Sequence, residues 1–237
     1  MTEERILTTI EELGLVVKET FLEASDDEKY KTKTIKVDEN LKNFLEENDE
    51  RNGVDRPYYI PDIATINYYF SVRVEDIREK EKYYEIDLRI IFFAEKSAFK
   101  ELIALEQYIK EQTQGLTDLE KAKYINNFII ENFAYDKEYK ARSALYALKR
   151  GKGTCTAFSE LFLILSESSG LKVGSISSTL MNHRWNYVVI GEETYYIDVT
   201  FNEAVKDKDW CFFQNTPLHL EKAPDQKVVV KHRETLD

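Results

Sequence analysis

Gly151-Lys152-Gly153-Thr154-Cys155-Thr156-Ala157-Phe158-Ser159-Glu160-Leu161 is the stretch on which the reading of this chain turns. A glycine-rich turn delivers a cysteine onto the first turn of an apolar helix. A thiol is a nucleophile only as the thiolate, and the unpaired N–H groups and dipole at a helix start favour negative charge. The same N–H groups can hold an oxyanion during acyl transfer. The structural alternative is a buried cysteine acting as a small hydrophobe.

On the C-terminal side, Ala157, Phe158, Leu161, Phe162, Ile164 and Leu165 form a stripe too broad for a helix with one solvated face, so the helix is expected to be buried on several sides. Gly170 suits a left-handed ending. On the N-terminal side, a short helix from Ala141 to Lys149 leads into Gly151. Before it, Thr117-Asp118-Leu119-Glu120 fits a capping box that opens a helix burying Ile125, Phe128, Ile129 and Phe133. That helix exits through Phe133-Ala134-Tyr135-Asp136, which serves either packing or a site. A further helix begins at Ser97 and ends near Gly115.

A reactive cysteine needs a base, and the chain has three histidines: His183, His219 and His232. His219 and His232 fall near the polar C-terminal tail, where a structural or solvated role is expected. His183 opens a β-branched and aromatic run to Ile190. Gly191-Glu192 follows, and then a second strand expected over Glu193–Phe201. Gly191 at the first loop position predicts a two-residue type II′ hairpin with Ile190 facing Glu193. That register places His183 opposite Thr200 and Asp198 opposite Trp185. His183 and Asp198 then become same-face diagonal neighbours, with Cα atoms roughly 7–8 Å apart. A carboxylate among such apolar neighbours needs a partner. His183 supplies one; capping a turn is the structural alternative. Trp185 and Tyr187 read as core or pocket wall, and Cys211 as a buried strand residue.

Residues 1–95 read as a small α+β subdomain for support or recognition, ahead of a larger domain over 96–237. A helix is expected over 2–13, with Thr2 as cap and Gly14 as interruption. A strand at Thr34–Val37, a helix capped by Asp38 and a turn at Asn52-Gly53 follow. Alternation over Ile66–Val74 and Tyr84–Phe92 predicts an antiparallel pair. The charged stretch Glu75–Lys82 reads as the solvated loop between them.

A chain of 237 residues with 43% hydrophobic content can bury a core without staples, and two cysteines form no disulfide framework. A net charge of −11 disfavours nucleic-acid binding, which starts from clustered Lys and Arg. No apolar run reaches the roughly 18 residues of a membrane span. The acidic start Met1–Arg5 lacks the marks of a secretory signal, so the chain as given reads as soluble; a leader removed beforehand would leave no trace. Two Cys and three His lack zinc spacing, and Lys206–Asp209 lacks the Gly and distal Glu of a calcium loop.

The order Cys155, His183, Asp198 resembles the transglutaminase-like superfamily of papain-fold cysteine enzymes, its bacterial branch most of all. The resemblance runs over roughly residues 117–202. It rests on Tyr135-Asp136, Ser143-Ala144-Leu145, Gly-x-Gly-Thr-Cys, Glu160-Leu161-Phe162, His183-Arg184-Trp185-Asn186 and Tyr196-Ile197-Asp198-Val199-Thr200-Phe201-Asn202. It implies an α+β fold with the Cys-bearing helix packed on an antiparallel sheet. It also implies cofactor-free acyl transfer or hydrolysis on a protein or peptide: Cys155 as nucleophile, His183 as base and acid, and Asp198 as orienting group. Tyr135 or Trp185 would line the pocket. Arg184 replaces the commoner small residue after the histidine and is expected to affect the surroundings more than the chemistry. The rival expectation is a binding or scaffold module that keeps the fold without the chemistry.

Overall fold

The computed structural model describes residues 5–25, 27–51, 70–92, 96–205 and 227–228. The chain divides into two compact units, residues 1–96 and 97–237.

Among the described residues of the first unit, β1 (Ile6–Leu7), α1 (Ile10–Glu23), β2 (Tyr30–Val37), α2 (Glu39–Arg51), β3 (Phe70–Glu79) and β4 (Tyr84–Phe92) form a sheet of order β1-β2-β4-β3 with two helices. β1 runs parallel to β2, and the other pairings are antiparallel. The period-two set Ile86, Leu88 and Ile90 is buried with Ile35, Val37 and Val72, alongside Leu13, Val17 and Phe21 of α1 and Leu41 and Leu45 of α2.

Three expectations for this unit change. The first helix is capped by Thr9, through a capping box with Glu12, and runs through Gly14 to Glu23. A mid-helix glycine costs roughly 1 kcal/mol, which burial of Leu13 and Val17 outweighs. The charged stretch after Val74 is strand as far as Glu79, because its charges pair across the ladder: Arg78 donates to Asp76 and Asp87 and also reaches Glu85. β3 is the sheet's edge, and outward charge discourages pairing with another chain. Asp38 does cap α2, accepting the Leu41 N–H at 2.8 Å. Thr2, Ile66, Tyr68 and the turn at Asn52-Gly53 lie outside the described residues.

The second unit runs α3 (Lys96–Gln112), α4 (Asp118–Asn132), β5 (Ala134–Tyr135), α5 (Ala144–Arg150), β6 (Lys152–Gly153), α6 (Cys155–Ser168), β7 (Lys172–Ser178), β8 (His183–Ile190), β9 (Glu193–Ile197), α7 (Val199–Val205) and β10 (Lys227–Val228). Among the described residues, its sheet of order β10-β7-β8-β9 is antiparallel throughout. The expected Thr117–Glu120 capping box opens α4, which buries Ile125, Ile129 and the adjoining Phe133 while Phe128 is only half-buried.

α6 is the centre of this unit. Every residue from Ala157 to Ser166 is buried. The helix packs on β7 and β8, with α4, α5 and α7 around it. Fully burying each of Phe158, Leu161, Phe162 and Leu165 contributes roughly 1.5–3 kcal/mol. The helix ends in a Schellman motif around Gly170 (φ +82°), with the Leu171 N–H on the Ser166 carbonyl and the Gly170 N–H on that of Glu167. A helix gripped on all sides fixes its first residue, Cys155.

Candidate active site

Cys155 owes its position to the turn before it. Gly151 closes α5 in the left-handed conformation (φ +63°). Lys152 and Gly153 then pair in parallel with Ala134 and Tyr135. Gly153 has no room for a side chain: a Cβ there would stand 3.0 Å from the Ala157 Cβ and from the Phe158 ring. Thr154 is the N-cap and Cys155 the first helical residue. The Thr154 N–H and hydroxyl both donate to the Ala141 carbonyl, at 2.9 and 3.1 Å.

His183 begins β8, paired with Ser178 across the β7–β8 connection, in which Asn182 takes the left-handed conformation (φ +49°). The β8–β9 register is the expected one, Ile190 opposite Glu193 through to Asn186 opposite Ile197. Gly191 has φ +61°, and Glu192 is not among the positive-φ residues, as a type II′ turn requires. The second strand, however, stops at Ile197. His183 therefore does not face Thr200, which lies in α7, and Asp198 is not a strand residue. Asp198 sits between β9 and α7, where it does two things at once. Its Oδ1 accepts the Phe201 N–H at 3.0 Å, capping α7, and its Oδ2 lies 2.7 Å from His183 Nε2. The orienting and capping readings of this aspartate both hold. It is wholly buried, and the imidazole stacks on Trp185, with ring centroids 5.6 Å apart and planes 22° off parallel.

The third contact joins Cys155 to His183 by a hydrogen bond. Burial alone would push the Cys155 thiol up. Against it, the hydrogen bond and charge of His183, the Arg184 backbone N–H and the Thr156 hydroxyl hold it below the ordinary thiol value. Burial alone would likewise lower His183, but Asp198 and Cys155 raise it to about 10. Cys155 and His183 thus each favour the charged form of the other, and the Asp198 carboxylate lies behind the imidazole. Because Asp198 takes the Nε2–H, Nδ1 is the nitrogen left for sulfur.

Tyr135 stands beside the thiol. Its hydroxyl is pushed up to about 12, first by burial and then by the charge of Cys155 and by Tyr139. Its ring meets Phe158 and Tyr139 edge-on. Trp185 is buried core as well as platform for the imidazole. Sequence reasoning missed the Thr156 hydroxyl and the Arg184 N–H. A backbone donor leaves no mark on residue identity. Cys155 is free of disulfide bonding. Cys211, His219, His232 and Lys206–Asp209 lie outside the described residues. Among the described residues, no group of three or more His, Cys, Asp or Glu could hold a metal ion, and no helix is long and apolar enough to cross a membrane.

Residues 104–214 match the model of the transglutaminase-like superfamily. The matched residues lie within the second unit, an α+β fold whose Cys155-bearing helix packs on an antiparallel sheet. Among solved structures, the chain is similar to a crystal structure of a TGase, with 13% identity over 72% of this chain and 51% of that one, and a TM-score of 0.38. It is also similar to a candidate cysteine protease from Cytophaga hutchinsonii (12% identity, 55% and 64% coverage, TM-score 0.34). A candidate protease from Parabacteroides distasonis is similar too (10% identity, 71% and 40% coverage, TM-score 0.35). The match thus spans about half of the first structure and under two thirds of the second. No curated protein sequence matches the chain.

Proposed function

We propose that this protein is a cysteine acyltransferase or hydrolase acting on carboxamide or peptide carbonyls of a protein or peptide, with Cys155 as nucleophile, His183 as base and acid, and Asp198 as orienting group. The observation that carries the proposal is His183, hydrogen-bonded at once to Cys155 and, at 2.7 Å, to a buried Asp198.

The Cys155 thiolate attacks the carbonyl carbon, and the electron pair moves onto oxygen. In this reading the backbone N–H of Cys155, at the start of α6, receives that charge. As the tetrahedral species collapses, the C–N bond breaks and the His183 imidazolium gives its proton to the departing amine or ammonia. A thioester and a neutral imidazole remain. An amine or water then attacks the thioester, His183 takes its proton, and the C–S bond breaks to regenerate the thiolate. Asp198 holds the imidazole ring and stabilises its charged form throughout. An amine acceptor yields a cross-link, and water yields deamidation or cleavage.

The test is mass spectrometry of a glutamine-containing protein incubated with the enzyme, with and without a primary amine. Amine incorporation, deamidation or cleavage that vanishes in Cys155→Ala supports the proposal and names the acceptor. If a panel of protein substrates stays unmodified while the chain is folded, a binding or scaffold module is the better reading.

A further inference from the structure

The proposed chemistry leaves unused a buried carboxylate, Asp136, that shows no solvent exposure. Its Oδ2 accepts the N–H groups of Lys140 and Ala141, at 2.9 and 2.8 Å. Its Oδ1 accepts that of Glu138 at 3.2 Å and lies 3.1 Å from Lys152 Nζ. Its own N–H donates to the Gly153 carbonyl at 2.9 Å. A single aspartate therefore folds residues 137–141 back onto the glycine turn that precedes the nucleophile.

The Ala141 carbonyl is the point of delivery. It takes both the N–H and the hydroxyl of Thr154, which is 4% exposed and has the extended backbone of an N-cap (φ −83°, ψ 176°). A threonine in that position ordinarily accepts an N–H of its own helix. Thr9, Thr117 and Ser143 do so in this molecule, while Thr154 makes no side-chain cap. With its hydroxyl turned away, the first-turn N–H groups beside Cys155 are not consumed by a capping oxygen. A helix stabilised only for its own sake gains nothing from that arrangement. A helix whose first residue must carry charge does.

We propose that Asp136 and Thr154 are positioning residues for Cys155: the Asp136 carboxylate shapes the 137–141 loop so that the Ala141 carbonyl takes the Thr154 hydroxyl, and that bond sets the start of α6 against His183. This rests on the catalytic reading of Cys155. The titratable groups facing the thiol are His183 from β8 and Tyr135 from β5, with Asp198 behind the first and Tyr139 beside the second.

The test is the pH dependence of iodoacetamide alkylation at Cys155, followed by peptide mapping in the full chain and in Thr154→Ser, Thr154→Val and Asp136→Asn, each checked for folding by thermal melting. The expected result is a midpoint in Thr154→Val and Asp136→Asn raised by about one pH unit, which is about tenfold slower alkylation at pH values below both midpoints. Thr154→Ser, which keeps the hydroxyl, should hold the unaltered midpoint. If Asp136→Asn fails to fold, Thr154→Val carries the test, since it removes one hydroxyl from a buried site. An unmoved midpoint in Thr154→Val, even with a lower melting temperature, would show that the residue serves stability only. An ordinary thiol profile in the unaltered chain would sink the catalytic reading, and the positioning role with it.

Discussion

Asp198 is where two physical demands meet on one side chain. One oxygen caps α7 and the other holds the His183 Nε2–H. The two can be separated, because asparagine caps a helix start about as well as aspartate but cannot stabilise an imidazolium by charge. Asp198→Asn should therefore keep the α7 cap, losing from stability only what the imidazolium pairing contributes, while lowering kcat about 10²–10⁴-fold. Asp198→Ala should do both kinds of damage, adding roughly 1 kcal/mol of lost capping. Substrate turnover and thermal melting on the two variants decide this; equal turnover in Asp198→Asn and the unaltered chain would remove the carboxylate from the chemistry. The candidate residues were legible from the sequence because Cys155 and His183 are scarce residue types in telling places and Asp198 is a carboxylate within an apolar run. Thr156 and the Arg184 N–H were not, since the first is an ordinary polar residue and the second is backbone.

Elements were legible wherever a local rule dominated. The β8–β9 register followed from the two-residue loop at Gly191, and α4 from the Thr117–Glu120 box. The end of β9 was hidden, because Val199, Thr200 and Phe201 have β propensity and only the Asp198 cap and the packing of Val199 and Asn202 turn the chain into α7. Gly14 misled in the opposite sense, as burial on the sheet carried α1 past it. Other glycines mark close approach. A Cβ at Gly174 would stand 2.4 Å from the ring of Tyr187, its partner across the β7–β8 ladder. Gly174→Ala should thus destabilise by about 1–3 kcal/mol through overpacking, measured by urea denaturation. Pairing it with Tyr187→Phe would leave the cost in place, while Tyr187→Leu should recover part of it. A neutral Gly174→Ala would mean the strands can shift at no cost.

At the scale of the whole molecule, the charge pair should show in stability against pH. His183 is raised, so its contribution is complete below its unfolded value of about 6.5 and is lost as pH rises toward about 10. Cys155 is lowered, so its contribution is present above the unfolded value of about 8.5 and is lost as pH falls through its folded value. Between about 6.5 and 8.5 the two slopes oppose each other. Cys155→Ala removes one of them. The melting-temperature gap between the unaltered chain and Cys155→Ala should therefore widen as pH rises through that window, and a constant gap would contradict the pair.

The role of residues 1–96 stayed illegible for a physical reason. The charges of β3 and β4 are spent on one another, Arg78 with Asp76, Glu85 and Asp87, and Arg89 with Glu75. That pattern specifies a solvated edge and names no partner. The proposed chemistry depends on the state of one sulfur. Peptide-mapped iodoacetamide alkylation from acid to alkaline pH, with Cys211 as internal reference and His183→Ala as comparison, reads that state directly. The result expected is a Cys155 midpoint well below the roughly 8.5 of a free thiol, shifted up toward it in His183→Ala. Equal profiles for Cys155 and Cys211, unmoved by the histidine substitution, would contradict the claim that Cys155 is an activated nucleophile.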